Sequence, residues 1–123
     1  MRGLPPNVVI LSFEGPDPYS MVGGLGTRVT EMSLALSQAG LNTSLLFIGD
    51  PAREPVERPS PHLHYLRWGQ WISAYHPGGV YDGEWEKAND FTSSVPPFVV
   101  ENIVVPAAER GELRFGLPVG YVY

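Results

Sequence analysis

An α/β domain on a parallel sheet, with helices on both faces, is the fold this sequence predicts, and three observations predict it. Residues 7–13 form a short, β-branched, almost wholly apolar run. From Leu25 the apolar residues switch to helical spacing. Residues 44–48 form a second apolar run, closed by Gly49-Asp50-Pro51. Strand, helix and strand in this order make a βαβ unit, whose crossover is right-handed in nearly every case.

Taking the elements in order, residues 7–13 read as a strand covered on both faces, as in a parallel sheet. Residues 14–24 are loop, with Gly15, Pro16, Pro18, Gly23 and Gly24. Leu25, Val29, Met32, Leu36 and Ala39 then line one face of a helix of about four turns. Arg28, Glu31, Ser33 and Gln38 fall on the other side, and Gly40 supplies the stop. Residues 44–48 are the next buried strand. Residues 51–61 are polar and proline-rich, a surface loop. Residues 62–68 alternate loosely and can form a third strand. Residues 71–89 are either a long ordered loop or a short helix. Residues 91–110 are helical in their second half, with Pro96 and Pro97 in the first turn, where a missing N–H is tolerated. Pro106 kinks or ends that helix. Residues 113–123 are a poor strand, broken by Gly and Pro.

The composition bounds what the chain can do. Its 123 residues suit one domain with one modest core. Hydrophobic residues are 43% and charged residues 17%, a globular balance. With 14 Gly and 13 Pro, loops are numerous and stiff. The net charge of −5 leaves no basic field for a nucleic-acid backbone. No apolar run reaches the ~18 residues of a membrane span. The absence of Cys removes disulfides, thiolate chemistry and Cys–metal sites, and it fits the cytosol.

The chemistry centres on Met21-Val22-Gly23-Gly24-Leu25-Gly26-Thr27-Arg28. Glycines ahead of a helix let the backbone approach a ligand closely. The helix start offers unpaired N–H groups and partial positive charge, which suit phosphate. No Asp or Glu lies in the first turn to compete for that end. The alternative is a turn that only joins strand to helix. A dinucleotide fingerprint fails, because Val29 stands at the third glycine position. Asp50 mimics a ribose-binding acid, although an Asp at a strand end also caps turns. No Gly-Lys-Ser/Thr pattern occurs.

Strand, long loop and Val22-Gly23-Gly24-Leu25-Gly26 resemble the start of bacterial glycogen synthases and plant starch synthases, whose motif reads Lys-x-Gly-Gly-Leu-Gly-Asp. Residues 76–83, His-Pro-Gly-Gly-Val-Tyr-Asp-Gly, are similar to the synthases' Arg-Pro-Gly-Gly-x-Tyr segment. Trp85, Asn89 and Phe91 follow, as a Trp, an Asn and a Phe do there. Met21 replaces the motif lysine and Thr27 the aspartate. These enzymes are retaining glycosyltransferases of the GT-B fold. The resemblance implies a Rossmann-like domain, the first part of a GT-B N-terminal domain over residues 1–123, with 111–123 doubtful. A C-terminal donor-binding domain with its paired glutamates is absent from these residues. A truncated gene, a gene fragment or a frame change near Glu109 would each explain that.

By that resemblance, Gly23, Gly24, Leu25, Gly26, Thr27 and Arg28 hold the donor phosphates, with the amides of Gly24, Leu25 and Gly26 stabilising the leaving diphosphate. The donor would be a sugar nucleotide such as ADP-glucose or UDP-glucose. No cofactor and no metal are implied. Trp68, Trp71, Tyr75, Tyr81 and Trp85 are an unusual aromatic density, suited to a sugar face or to packing of the loop. His76, Tyr81 and Trp85 are the acceptor-binding candidates, because they sit in the synthase-like patch. His62 and His64 would share a strand face, but two nitrogen ligands are too few for zinc. Asp82, Glu84 and Glu86 read as a solvated loop rather than a hydrolase pair.

The expected activity is therefore transfer of a hexose, glucose by the resemblance, from a sugar nucleotide to a glycan acceptor. Catalysis is expected to need the second domain, from a separate chain if it is not in this one. The catalytic residues are not assigned. The alternatives are a non-catalytic phosphate- or nucleotide-binding module and a carbohydrate-interaction domain. A cytoplasmic protein, without nucleic-acid partner or transmembrane segment, is expected.

Overall fold

A computed structural model of the chain describes residues 7–21, 23–109 and 120–122. It is an α/β structure on a five-stranded mixed sheet in the order β3-β4-β2-β1-β5. The strands are β1 (Asn7–Ser12), β2 (Asn42–Ile48), β3 (Val56–Ser60), β4 (Leu63–Trp68) and β5 (Gly120–Val122). The helices are α1 (Gly24–Gln38), α2 (Glu84–Val99) and the short α3 (Val105–Glu109). A 3₁₀ turn covers Trp71–Ala74, and a π-helical turn, Val100–Val104, joins α2 to α3.

β1 lies parallel to β2, with Asn7 opposite Asn42 and Ser12 opposite Phe47. β2 lies parallel to β4, and β1 parallel to β5. The outermost strand corrects the expectation of a wholly parallel sheet. β3 runs antiparallel to β4 across the turn at Pro61-His62, within a stretch whose composition reads as surface loop. Val56 to Pro59 are exposed. An edge strand needs no apolar alternation, and it tolerates Pro59 where the register shifts between Glu57 and Ser60. The Gly- and Pro-broken end of the chain supplies β5, and residues 111–119 lie outside the described ones.

Alternate residues of β1 point to opposite faces, and two apolar clusters follow from that. Val8 and Ile10 pack with Leu45, Phe47 and Val29 of α1. Val9 packs with Leu46, Ile48 and Val80, and with Phe91, Val95 and Val99 of α2. The buried line of α1 is Gly26, Val29, Ser33 and Ser37. Ser33, which the spacing puts on the outer face, is therefore inside. Its hydroxyl donates to the Thr30 carbonyl at 3.0 Å, which removes the penalty of burial.

α2 begins at Glu84, inside the stretch that reads as loop or short helix. Pro96 and Pro97 lie within this helix instead of in its first turn, which corrects the sequence expectation. The true first turn carries Glu84 and Glu86 and follows Gly83, whose φ of 70° is left-handed. The two prolines leave the carbonyls of Thr92 and Ser93 without helical donors, and all four residues are exposed, within reach of water. The stripe Lys87, Phe91, Val95 and Val99 stays buried, and its packing outweighs the propensity loss. Pro106 lies in α3 and does not end the helical region.

Candidate functional site

The carboxyl ends of β1, β2 and β4 lead into the segments that carry the candidate chemistry, the side on which open α/β sheets receive ligands. After β1, the chain runs through Glu14 and Asp17 to the glycines. Gly23 caps α1 in an extended conformation, and the first turn of α1 holds no acidic residue. A carboxylate nevertheless arrives from the loop. Glu14 Oε1 accepts from the Gly26 amide at 2.9 Å and from the Gly23 amide at 3.2 Å. Glu14 is only 4% exposed. Its carboxylate satisfies two of the orphan amides at the head of α1 and complements the helix dipole.

This corrects the expectation of a bare turn without a competing acid. A diphosphate would meet a buried carboxylate at the Gly26 amide, one of the three assigned to it, and at the neighbouring Gly23 amide. A Cβ on Gly26 would lie 3.0 Å from the Gly15 carbonyl oxygen and from Met21 Cα, so that glycine serves an approach of the chain to itself. Gly24 faces open space, Leu25 packs against the α1 cluster, and Thr27 and Arg28 are exposed. Val22 of the same motif lies outside the described residues.

The aromatic residues divide into two groups. Trp68 packs edge-on against Phe98 at 5.1 Å and donates its indole N–H to Asp90. Tyr81 packs on Phe13 at 5.6 Å and donates its hydroxyl to Glu14 Oε2. Burial first, and then Glu14, push the Tyr81 phenol up to about 12. Trp71, Tyr75 and Trp85 are 72%, 74% and 76% exposed. These three line an open groove of about 510 Å³ together with His76, Asn89 and Asp90. Of the acceptor candidates, His76 and Trp85 are on this groove, and Tyr81 is not.

The floor of the groove is fixed by polar contacts. Gln70 Nε2 donates to Asp90 Oδ2 at 2.9 Å and to the Lys87 carbonyl at 2.8 Å. Ser94 donates to Asp90 Oδ1 at 3.1 Å. Lys87, fully buried, donates to the His76 and Gly79 carbonyls and lies 5.1 Å from the Tyr19 ring centroid. His76 lies 3.3 Å from Asp82 and 3.7 Å from Glu86. The Gly78 amide first, and then His76, hold the Asp82 carboxyl below the usual range. Glu84 and Glu86 belong to the first turn of α2, which corrects the solvated-loop expectation.

A second polar centre closes the loop after β1. Asp17, 1% exposed, takes Arg67 Nε at 2.8 Å, Arg67 Nη2 at 3.0 Å and Arg53 Nη1 at 2.9 Å. Asp17 and Glu57 hold the Arg67 guanidinium protonated well beyond its ordinary range, with Asp17 the larger effect. Asp50 Oδ1 accepts from the Ala52 amide, a turn cap. His62 lies in the hairpin turn and meets Asn42, while His64 lies in β4. Among the described residues no group of three or more acidic or His side chains could hold a metal. No helix among them is long and apolar enough to cross a membrane.

Sequence reasoning does not find Glu14, Asp17, Gln70, Lys87 and Asp90 as site-forming residues. Glu14 offers one signal, an acid directly after a buried strand and ahead of a glycine-rich turn. Comparison with known protein families, curated proteins and solved structures finds no match.

Proposed function

We propose that the groove of Trp71, Tyr75 and Trp85 binds a neutral glycan, and that this glycan is the acceptor of a glycosyl transfer. One observation carries the reading: three large aromatic rings stand more than 70% exposed around one cavity that also holds carboxylate and amide groups. Aromatic faces suit the C–H faces of sugar rings, and Asp90, Glu86 and Asn89 suit hydroxyls. Among the described residues no Lys or Arg lines the groove, which disfavours an anionic ligand. At about 510 Å³ it falls within the ~300–1,000 Å³ typical of ligand sites.

The transferase part rests on the resemblance of residues 22–26 and 76–91 to glycogen and starch synthases. In that reading the architecture is Rossmann-like, with α1 and α2 on opposite faces of the sheet. The donor, ADP-glucose or UDP-glucose, needs phosphate-binding groups other than the Gly23 and Gly26 amides. Glu14 argues against a stand-alone nucleotide-binding module for the same reason.

Calorimetric titration with neutral mono- and oligosaccharides tests the proposal. Binding is expected, with loss of at least about tenfold in affinity for Trp85→Ala, an exposed position. Wild-type protein that binds no saccharide overturns it. Transfer is tested separately, by adding sugar nucleotide and a donor-binding domain of the synthase type and following glycan mass.

A further inference from the structure

A second cavity, of about 280 Å³, opens at the carboxyl ends of β2 and β4. Asp50, Arg53, Arg67, Gln70 and Trp71 are on its walls. Trp71 also lines the aromatic groove, and Gln70 reaches Asp90 of that groove at 2.9 Å. The two cavities therefore share a wall and a hydrogen-bonded support.

The charges of the second cavity are already matched. Arg67 is held by Asp17 and Glu57, and Arg53 by Asp17. Asp50 adds a further carboxylate, so no surplus positive charge awaits a phosphate. Gln70 is 4% exposed and its Nε2 is committed to the Lys87 carbonyl and to Asp90, which fixes the wall between the two cavities.

We infer that the second cavity is a further saccharide subsite, so that one neutral oligosaccharide runs from the aromatic groove past Trp71 to Arg53 and Asp50. The inference rests on the glycan reading of the groove. Recognition here is by fixed hydrogen-bond groups instead of rings, with Trp71 as the common platform.

Gly69 gives a direct test. It lines the cavity, its φ is not positive, and a Cβ there would meet only Pro51 at 3.9 Å. Gly69→Leu therefore fills the space without backbone strain. The full chain is titrated with glucose and with α-1,4- and β-1,4-linked glucose oligomers of increasing length. In wild type, affinity is expected to rise about tenfold from disaccharide to tetrasaccharide in one linkage series. Gly69→Leu, and independently Arg53→Ala, are expected to remove that gain while changing disaccharide affinity by less than about twofold. Disaccharide binding with no gain on lengthening overturns the subsite and leaves the groove intact, as does a gain that survives both substitutions. Absence of binding by every saccharide overturns the groove itself.

Discussion

Tyr81 donates its phenolic hydrogen to Oε2 of Glu14, a residue 67 positions earlier in the chain. Oε1 of the same carboxylate takes the amides at the head of α1. One buried side chain thus ties the loop before α2 to the start of α1. Tyr81→Phe removes one charged hydrogen bond and is expected to destabilise the fold by about 1.5–3 kcal/mol. Chemical denaturation measures this, and faster amide exchange at Gly23 and Gly26 should accompany it.

Tyr81 also predicts an alkaline limit. Its folded phenol is pushed up to about 12, against 10.0 for an ordinary tyrosine. The raised folded value means that the stabilisation is fully present below pH ~10 and is lost as the pH rises from ~10 towards ~12. Ultraviolet titration should show a phenol ionising at about 12 that is absent in Tyr81→Phe. Because burial is the larger cause, Glu14→Gln should lower that value only partly.

Lys87 supports the loop carbonyls of His76 and Gly79 from a fully buried position. Lys87→Met keeps most of the stem but leaves both carbonyls without this donor. A loss of about 2–4 kcal/mol is expected in urea unfolding, in line with charged hydrogen bonds made out of water. Groove affinity should fall with it, since His76 lines the groove.

Asp17 is the partner that makes Arg67 tolerable in the interior. Asp17→Asn leaves Arg67 to the Glu57 carboxylate and the Glu54 carbonyl and is expected to cost about 3–5 kcal/mol, read from the shift of the denaturation midpoint. A loss below about 1 kcal/mol would show that Glu57 suffices.

Gly15 is required by space. A Cβ there would lie 2.3 Å from a Phe47 ring carbon, and Phe47 is fully buried. Gly15→Ala is expected to destabilise by about 1–3 kcal/mol through overpacking. Phe47→Leu in the same chain should recover part of the loss.

β1, α1, β2 and β4 are legible in the sequence because each buries apolar residues in a pattern its element imposes. β3 is not, because an exposed edge strand has no buried face to imprint a pattern. Pro96 and Pro97 draw the expected start of α2 toward themselves, against the stripe at 87, 91, 95 and 99, whose even spacing already marks a helix. Lys87 belongs to that stripe, and its charge disguises it as a surface residue. The exposed aromatics are visible as a local density. The capping of α1 by Glu14 and the clasp of Arg67 on Asp17 are not, because they join positions 12 and 50 residues apart. No local periodicity encodes such contacts.

The outermost strand, β3, has a consequence for how copies of the protein meet. Glu57, Arg58 and Pro59 occupy it side by side, and Pro59 offers no amide hydrogen. An incoming strand would find a gap in the ladder and two charges to desolvate. The sheet therefore stops at this border, and fibril-like growth from one molecule to the next is blocked on that side.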